Sequence, residues 1–337
     1  MRIRPTLLMV VLAAALVRAE EKLPEGVQLL TYKGWPESYV LTSAETGIKV
    51  VIVPAVGGRV LHYGPDDANI MFESPGSDGK TLENTKGNFW VGGYQLDIGP
   101  ELRGLPEHRR LWMGQYKARA SGPYSVTVES EPCQKSGIQL SKVFTLDPKT
   151  GSLKVDQKMT NAWDKETQFC LWDRTLCKGG GFAFFPLNPK TKMKAGWGLR
   201  YKEDGKEYFD NDAPASPNVK ILDGILVAEA TAKDVAYGKL GADSDAGWMG
   251  YARGKQLYIK TFPYDPAGTY SDAGNSVEFY WSAQVGEVEP LSAEVRLKPG
   301  ESHSFPEVWH LLKLDEDVST FEQARALSGR AAKLAGK

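Results

Sequence analysis

The stretch Leu153-Lys154-Val155-Asp156-Gln157-Lys158-Met159 sets Leu153, Val155 and Met159 against Lys154, Asp156 and Lys158. Successive side chains of an extended chain point to opposite faces, so a period of two predicts a strand with one face toward a core. Just before it, Asp147-Pro148-Lys149-Thr150-Gly151 carries turn chemistry and predicts a hairpin joining two alternating runs. The same alternation appears at Tyr124, Val126 and Val128, at Val277, Phe279 and Trp281, and at Val295 and Leu297. In the run 257–262, Leu257, Ile259 and Thr261 share one face, while Tyr258 and Phe262 share the other. Gly205, Gly224, Gly254, Gly268 and Pro299-Gly300 punctuate the chain. These rules give on the order of twenty short strands, which predicts an all-β sandwich and not a βαβ fold. A helix is expected only at the end, where Ser319 and Glu322 form an S-x-x-E capping box before Ala324 and Leu327.

No change of composition, tandem repeat or low-complexity tract divides the chain, so residues 20–337 read as a single domain. The stretches 74–84 and 210–218 read as polar surface loops. Residues 1–19 read as a secretory signal peptide. Arg2 and Arg4 form a positive start, Leu7 to Val17 is apolar, and Val17-Arg18-Ala19 is a small-residue cleavage site. The apolar run is short for a bilayer span, and no other stretch is apolar enough to cross. The expected location is periplasmic or secreted, with no stable membrane insertion after cleavage.

The net charge of −1 leaves no basic block or stripe, which argues against nucleic acid and an anionic membrane as partners. The three cysteines, Cys133, Cys170 and Cys177, leave two readings open: three buried thiols, or a Cys170–Cys177 bridge with one thiol over. No C-x-x-C, H-E-x-x-H, G-x-x-x-x-G-K-[ST] or G-x-S-x-G is present. The four histidines are scattered, so no metal site is expected. Gly179-Gly180-Gly181 lacks the spacing of a dinucleotide loop, and no cofactor is expected. Asp210-Asn211-Asp212 and Asp243-Ser244-Asp245 lack the glycine and distal Glu of a calcium loop.

Several ordered segments resemble the galactose-mutarotase-like (aldose 1-epimerase-like) superfamily, closest to its domain-of-unknown-function members. They are the glycine turn within Val51–Val60, the Trp90-Val91-Gly92-Gly93-Tyr94-Gln95-Leu96 segment with Gly99-Pro100-Glu101, and Thr160-Asn161-Ala162-Trp163 leading into Leu171–Leu176. Glu287-Val288-Glu289-Pro290 and the Pro299-Gly300-Glu301 turn complete the set, which runs from Tyr39 to Leu314. The resemblance implies a β-supersandwich with a concave sugar-binding face.

In mutarotases of this kind a Glu takes a proton from the anomeric hydroxyl and a His protonates the ring oxygen, a paired acid–base task. By resemblance Glu289 stands at the Glu, and His108 lies near one His. The strand expected to carry the second His reads Leu171-Trp172-Asp173-Arg174-Thr175. Arg174 does not give up its proton at neutral pH, and Asp173 serves as an acid only if its pKa is raised. Catalytic candidates are therefore Glu289, Asp173 and His108. Asp173 and Arg174 are neighbours, so on a regular strand only one of them faces the cleft. Sugar contact is expected from Arg59, Trp90, Gln95, Trp172 and Arg174, through fixed hydrogen bonds and aromatic stacking. Arg59 has a second reading, in which it pins the glycine turn by donating to carbonyls. Three functions stay open: an exported carbohydrate-binding protein; an epimerase, lyase or hydrolase using Glu289 as base; and a structural protein of the cell envelope.

Overall fold

The computed structural model describes residues 22–102, 105–233 and 237–337. The proposed signal peptide lies outside them. The described chain is all-β, with 22 strands in two antiparallel sheets of twelve and ten strands. The hairpin expected at 147–151 joins Ile138–Leu146 to Leu153–Asn161, and Gly151 closes it by donating to the Asp147 carbonyl at φ +70°. The alternation along Leu153–Asn161 is the observed burial pattern, because one face of this strand meets the other sheet and one meets solvent.

The C-terminal helical segment forms two short helices, Phe321–Ala326 and Ser328–Leu334. The capping box lies one residue later than the sequence suggests. Gln323 N donates to Thr320 Oγ1 and Thr320 N to Gln323 Oε1, each at 3.1 Å. Phe321 and Ala324 are buried by this register, which selects Thr320 over Ser319 as N-cap.

The middle of the larger sheet carries the site. In spatial order it runs Gly93–Gly99, Thr167–Lys178, Val285–Pro290, Val277–Ser282 and Tyr237–Ala242. Gly92 and Gly93 set up the first of these strands. Both have positive φ, and a Cβ would lie 2.3 Å from the Phe72 carbonyl oxygen at Gly92 and 2.2 Å from that of Val60 at Gly93. The Thr-Asn motif works as a bracket. Asn161 Nδ2 donates to the carbonyls of Lys165 and Leu297, each at 2.8 Å, which fixes where the long strand Thr167–Lys178 begins.

Between the sheets lies a core of Tyr63, Tyr94, Phe144, Tyr258, Trp309 and aliphatic side chains. It encloses a charged cluster. Lys260 Nζ sits 2.5 Å from Asp173 Oδ1 and 3.3 Å from Glu307 Oε2, and all three side chains are fully buried. Trp309 Nε1 and Gln157 Nε2 donate to Glu307, each at 2.7 Å, so this carboxylate is held within the smaller sheet, and Lys260 carries the link across to Asp173 of the larger one. Trp163 is half-buried, and its ring covers Gly137 and meets Lys165.

Candidate functional site

Directly opposed residues of antiparallel strands share a face. Gln95 pairs with Arg174, Asp97 with Trp172, Glu289 with Glu278, Glu287 with Tyr280, and Tyr280 with Lys239. Asp173 points into the inter-sheet core, so this set lies on the opposite, outer face of the larger sheet. Two ion-pair groups occupy it.

The first group centres on Arg174. Its Nε donates to Glu287 Oε1 at 3.0 Å and its Nη1 to Asp97 Oδ2 at 3.5 Å. Asp97 Oδ1 lies 2.8 Å from His108 Nε2, and His108 Nδ1 lies 2.6 Å from the Pro106 carbonyl oxygen. Both ring nitrogens thus face acceptors, the arrangement that holds an imidazolium. Burial opposes that charge, but the Asp97 hydrogen bond and charge outweigh it and raise His108 to about 9.

The second group centres on Lys239, whose ammonium lies 2.7 Å from Glu101 Oε2, 2.7 Å from Glu278 Oε2 and 3.1 Å from Glu289 Oε2. Glu289 Oε2 also accepts from Trp172 Nε1 at 2.7 Å, while its Oε1 is buried without a hydrogen bond. Burial pushes Glu289 up to about 8 and Glu278 up to about 7, against the pull of Lys239. Arg200 ties Glu101 to Glu207, at 3.3 and 3.4 Å. The Trp172 ring lies between the cations, 4.7 Å from Arg174 Cζ and 4.5 Å from Lys239 Nζ.

Of the residues expected at the site, the structure brings Glu289, His108, Gln95, Trp172 and Arg174 to this face. Three placements differ from expectation. Asp173 is on the other face, paired with Lys260, so it belongs to the core. Arg59 is fully buried and spends its guanidinium on the carbonyls of Val56, Gly92 and Trp112, the turn-pinning reading. Trp172 is 3 % exposed and covered by two cations, so it offers no open ring to a sugar. Trp90 is 40 % exposed and packs on Phe72, which in turn meets Leu176 and Val285 of this face. Glu289 lies on Val285–Pro290, a central strand that is buried along its whole length.

Sequence reading missed Asp97, Glu287, Lys239, Glu101, Glu278 and Arg200. Asp97 and Glu287 carried a usable signal, because each lies two positions from a chosen residue on the same strand and so shares its face. Lys239 and Arg200 carried none. They arrive from strands far away in sequence.

Among the described residues, no group of three or more His, Cys, Asp or Glu side chains could hold a metal ion. None of the described helices is long and apolar enough to cross a membrane. The two wide antiparallel sheets form a β-supersandwich, and the likeness to solved structures gives its fold as galactose-mutarotase-like. Solved structures of that fold match across most of their length. A galactose mutarotase-like protein from Lactobacillus casei is 12 % identical, with 81 % of this chain and 100 % of that one covered at a TM-score of 0.53. A galactose mutarotase related enzyme from Lactobacillus acidophilus is 10 % identical, with coverage of 83 % and 99 % and a TM-score of 0.51. The Slr1438 protein of Synechocystis sp. PCC 6803 is 12 % identical, with coverage of 81 % and 95 % and a TM-score of 0.54. Within this fold the chain belongs to the family described as "Domain of unknown function (DUF4380)", whose model matches residues 106–312. No curated protein matches the chain significantly in sequence.

Proposed function

We propose that the outer face around Arg174 recognises a carbohydrate, in a protein exported by its N-terminal segment. The observation that carries this is the joining of Arg174, Asp97, His108 and Glu287 into one hydrogen-bonded group in which the Arg174 side chain is 25 % exposed. Fixed planar donors and acceptors of this kind match vicinal hydroxyls, and the exposed Trp90 ring can stack on the C–H face of a pyranose. The likeness to galactose mutarotase-like structures supports the same class of ligand. Saturation-transfer NMR with a pool of free aldoses tests it. Transfer to at least one aldose that is lost in Arg174→Gln is the expected result. Absence of transfer to any aldose refutes the reading.

A second reading, an aldose 1-epimerase-like isomerase, is favoured by the two shifted groups, Glu289 and His108. A carboxyl raised to about 8 is mostly protonated at pH 7. Glu289 would then act as a base only in alkaline solution, so binding ranks above catalysis at neutral pH. Anomer exchange in the same NMR sample, followed from pH 7 to pH 9, separates the two. Exchange that rises with pH and vanishes in Glu289→Gln would establish the isomerase.

A further inference from the structure

Among the described residues, Val27–Tyr32 and Lys206–Asp210 end the larger sheet, and Val219–Leu222 and Lys117–Gly122 end the smaller one. A sheet edge displays unpaired N–H and C=O groups, and charged side chains along it discourage pairing with another chain. Lys206, Glu207 and Asp210 guard one edge, Lys220 another, and Lys117 and Arg119 a third. Val27–Tyr32 carries no charge, no proline and no glycine. Its residues 28–31 are all exposed, Leu29 by 43 % and Leu30 by 40 %.

The register shows which backbone groups of this edge are open. Thr42 N donates to the Gly26 carbonyl at 3.3 Å, and the pairs Gln28↔Val40 and Leu30↔Ser38 continue that register. Hydrogen-bonded pairs alternate along an antiparallel ladder, so Gln28 and Leu30 turn their backbone groups toward the neighbouring strand, while Leu29 and Thr31 turn theirs away from it. The Val27 carbonyl also points away, and the Val27 N–H is used locally, donating to the Pro24 carbonyl at 3.2 Å. Leu29 lies opposite Tyr39, whose hydroxyl donates to the Ala118 carbonyl on the edge of the smaller sheet at 3.3 Å. Leu29 therefore faces inward at the margin of the sandwich, where it borders a cavity of about 430 Å³ together with Tyr39, Tyr116 and Ala118.

We infer that Val27–Tyr32 is an interface for a second copy of this chain, paired antiparallel about a two-fold axis through Leu29. In that register Leu29 lies opposite the copy's Leu29 and Val27 opposite the copy's Thr31, so outward-pointing groups meet outward-pointing groups. The Leu29 N–H and C=O exchange with those of the copy, and each Thr31 N–H donates to the other chain's Val27 carbonyl. A slip of one residue would set open groups against groups already used. The two Leu29 side chains share one face, as an extension of the larger sheet beside the cavity. Glu25 and Lys33, both exposed, flank the strand. Antiparallel pairing brings Glu25 of each chain toward Lys33 of the other, whereas in-register parallel pairing would set like charges together. A contact of one patch with itself closes at two copies. The edge stands apart from the Arg174 face, whatever that face binds.

Sedimentation velocity on the intact protein over a dilution series tests this. The wild type should show a concentration-dependent dimer. Leu29→Lys sets two ammonium groups against each other and should weaken the dimer about ten-fold or more, with the melting temperature of the subunit kept because the position is exposed. Ile221→Lys, at an exposed apolar position on a different edge, should dimerise as the wild type does. Cysteine cross-linking under mild oxidation reads the register and does not depend on the lysine variant. Leu29→Cys places two thiols on facing residues with Cα atoms roughly 5.5 Å apart, within disulfide reach, and should give a dimer on a non-reducing gel above the wild-type background. Leu30→Cys, offset along the strand from its own copy, should stay at background. The inference is overturned if the wild type is monomeric at every concentration, or if Leu29→Lys dimerises as the wild type does. It is overturned equally if Leu30→Cys cross-links and Leu29→Cys does not.

Discussion

Asp173 and Arg174 are joined by one peptide bond, yet their charges serve different halves of the molecule. The Asp173 carboxylate is sealed between the sheets 2.5 Å from Lys260, while Arg174 spans Glu287 and Asp97 on the outer face. Asp173→Asn removes the shorter of the two charged contacts of buried Lys260 and leaves it to Glu307 alone, so it should destabilise the fold by about 2–3 kcal/mol. Arg174 is partly exposed, so Arg174→Gln should cost less, about 1–2 kcal/mol. Binding of aldoses should show the reverse order, lost in Arg174→Gln and kept in whatever fraction of Asp173→Asn folds. Urea unfolding alongside saturation transfer measures both.

The second prediction concerns pH. His108 is raised from 6.5 to about 9 in the folded state, so its protonated form contributes stability that is complete below pH 6.5 and is lost as pH rises through about 9. Glu289, raised from 4.5 to about 8, acts in the same sense over the window between those values. The melting temperature should therefore fall from pH 6.5 to pH 9. His108→Gln should flatten the upper part of that fall, and a melting temperature indifferent to pH over the range would contradict the imidazolium assignment.

Trp172 matters through its indole N–H more than through its ring. Trp172→Phe keeps an aromatic ring near Arg174 and Lys239 but removes the 2.7 Å hydrogen bond to Glu289. With Glu289 otherwise buried, the change should cost about 1–2 kcal/mol and raise the carboxyl further. Thermal unfolding reads the first effect. Carbon-13 titration of the Glu289 carboxyl reads the second.

The cysteines should all be free thiols. Cys170 and Cys177 lie on one strand seven positions apart, roughly 23 Å at the rise of an extended chain, far beyond disulfide reach. Mass spectrometry after alkylation in denaturant without reductant should count three modified cysteines. A Cys170–Cys177 bridge, located by peptide mapping, would contradict the strand.

Much of this architecture is written locally. Alternation along Leu153–Met159, the Asp147–Gly151 turn and the left-handed glycines of the Gly92-Gly93 pair are properties of a few consecutive residues, and they point to a sandwich without knowledge of the partner strands. The rule that neighbours on a strand face opposite ways separates Asp173 from Arg174 in advance. It cannot say which of them meets the other sheet. That depends on Lys260 and Glu307, which reach Asp173 only when the sheets pack. Lys239 and Arg200 likewise become part of the site through strands distant in sequence, and Arg59 is spent on carbonyls of Val56, Gly92 and Trp112 that converge only in three dimensions. Sequence alone determined the class of fold and the strands that carry the site, because backbone conformation and alternation are local. Tertiary structure decided which charges became core and which became surface, because burial and ion pairing are set by side chains that the folded chain brings together.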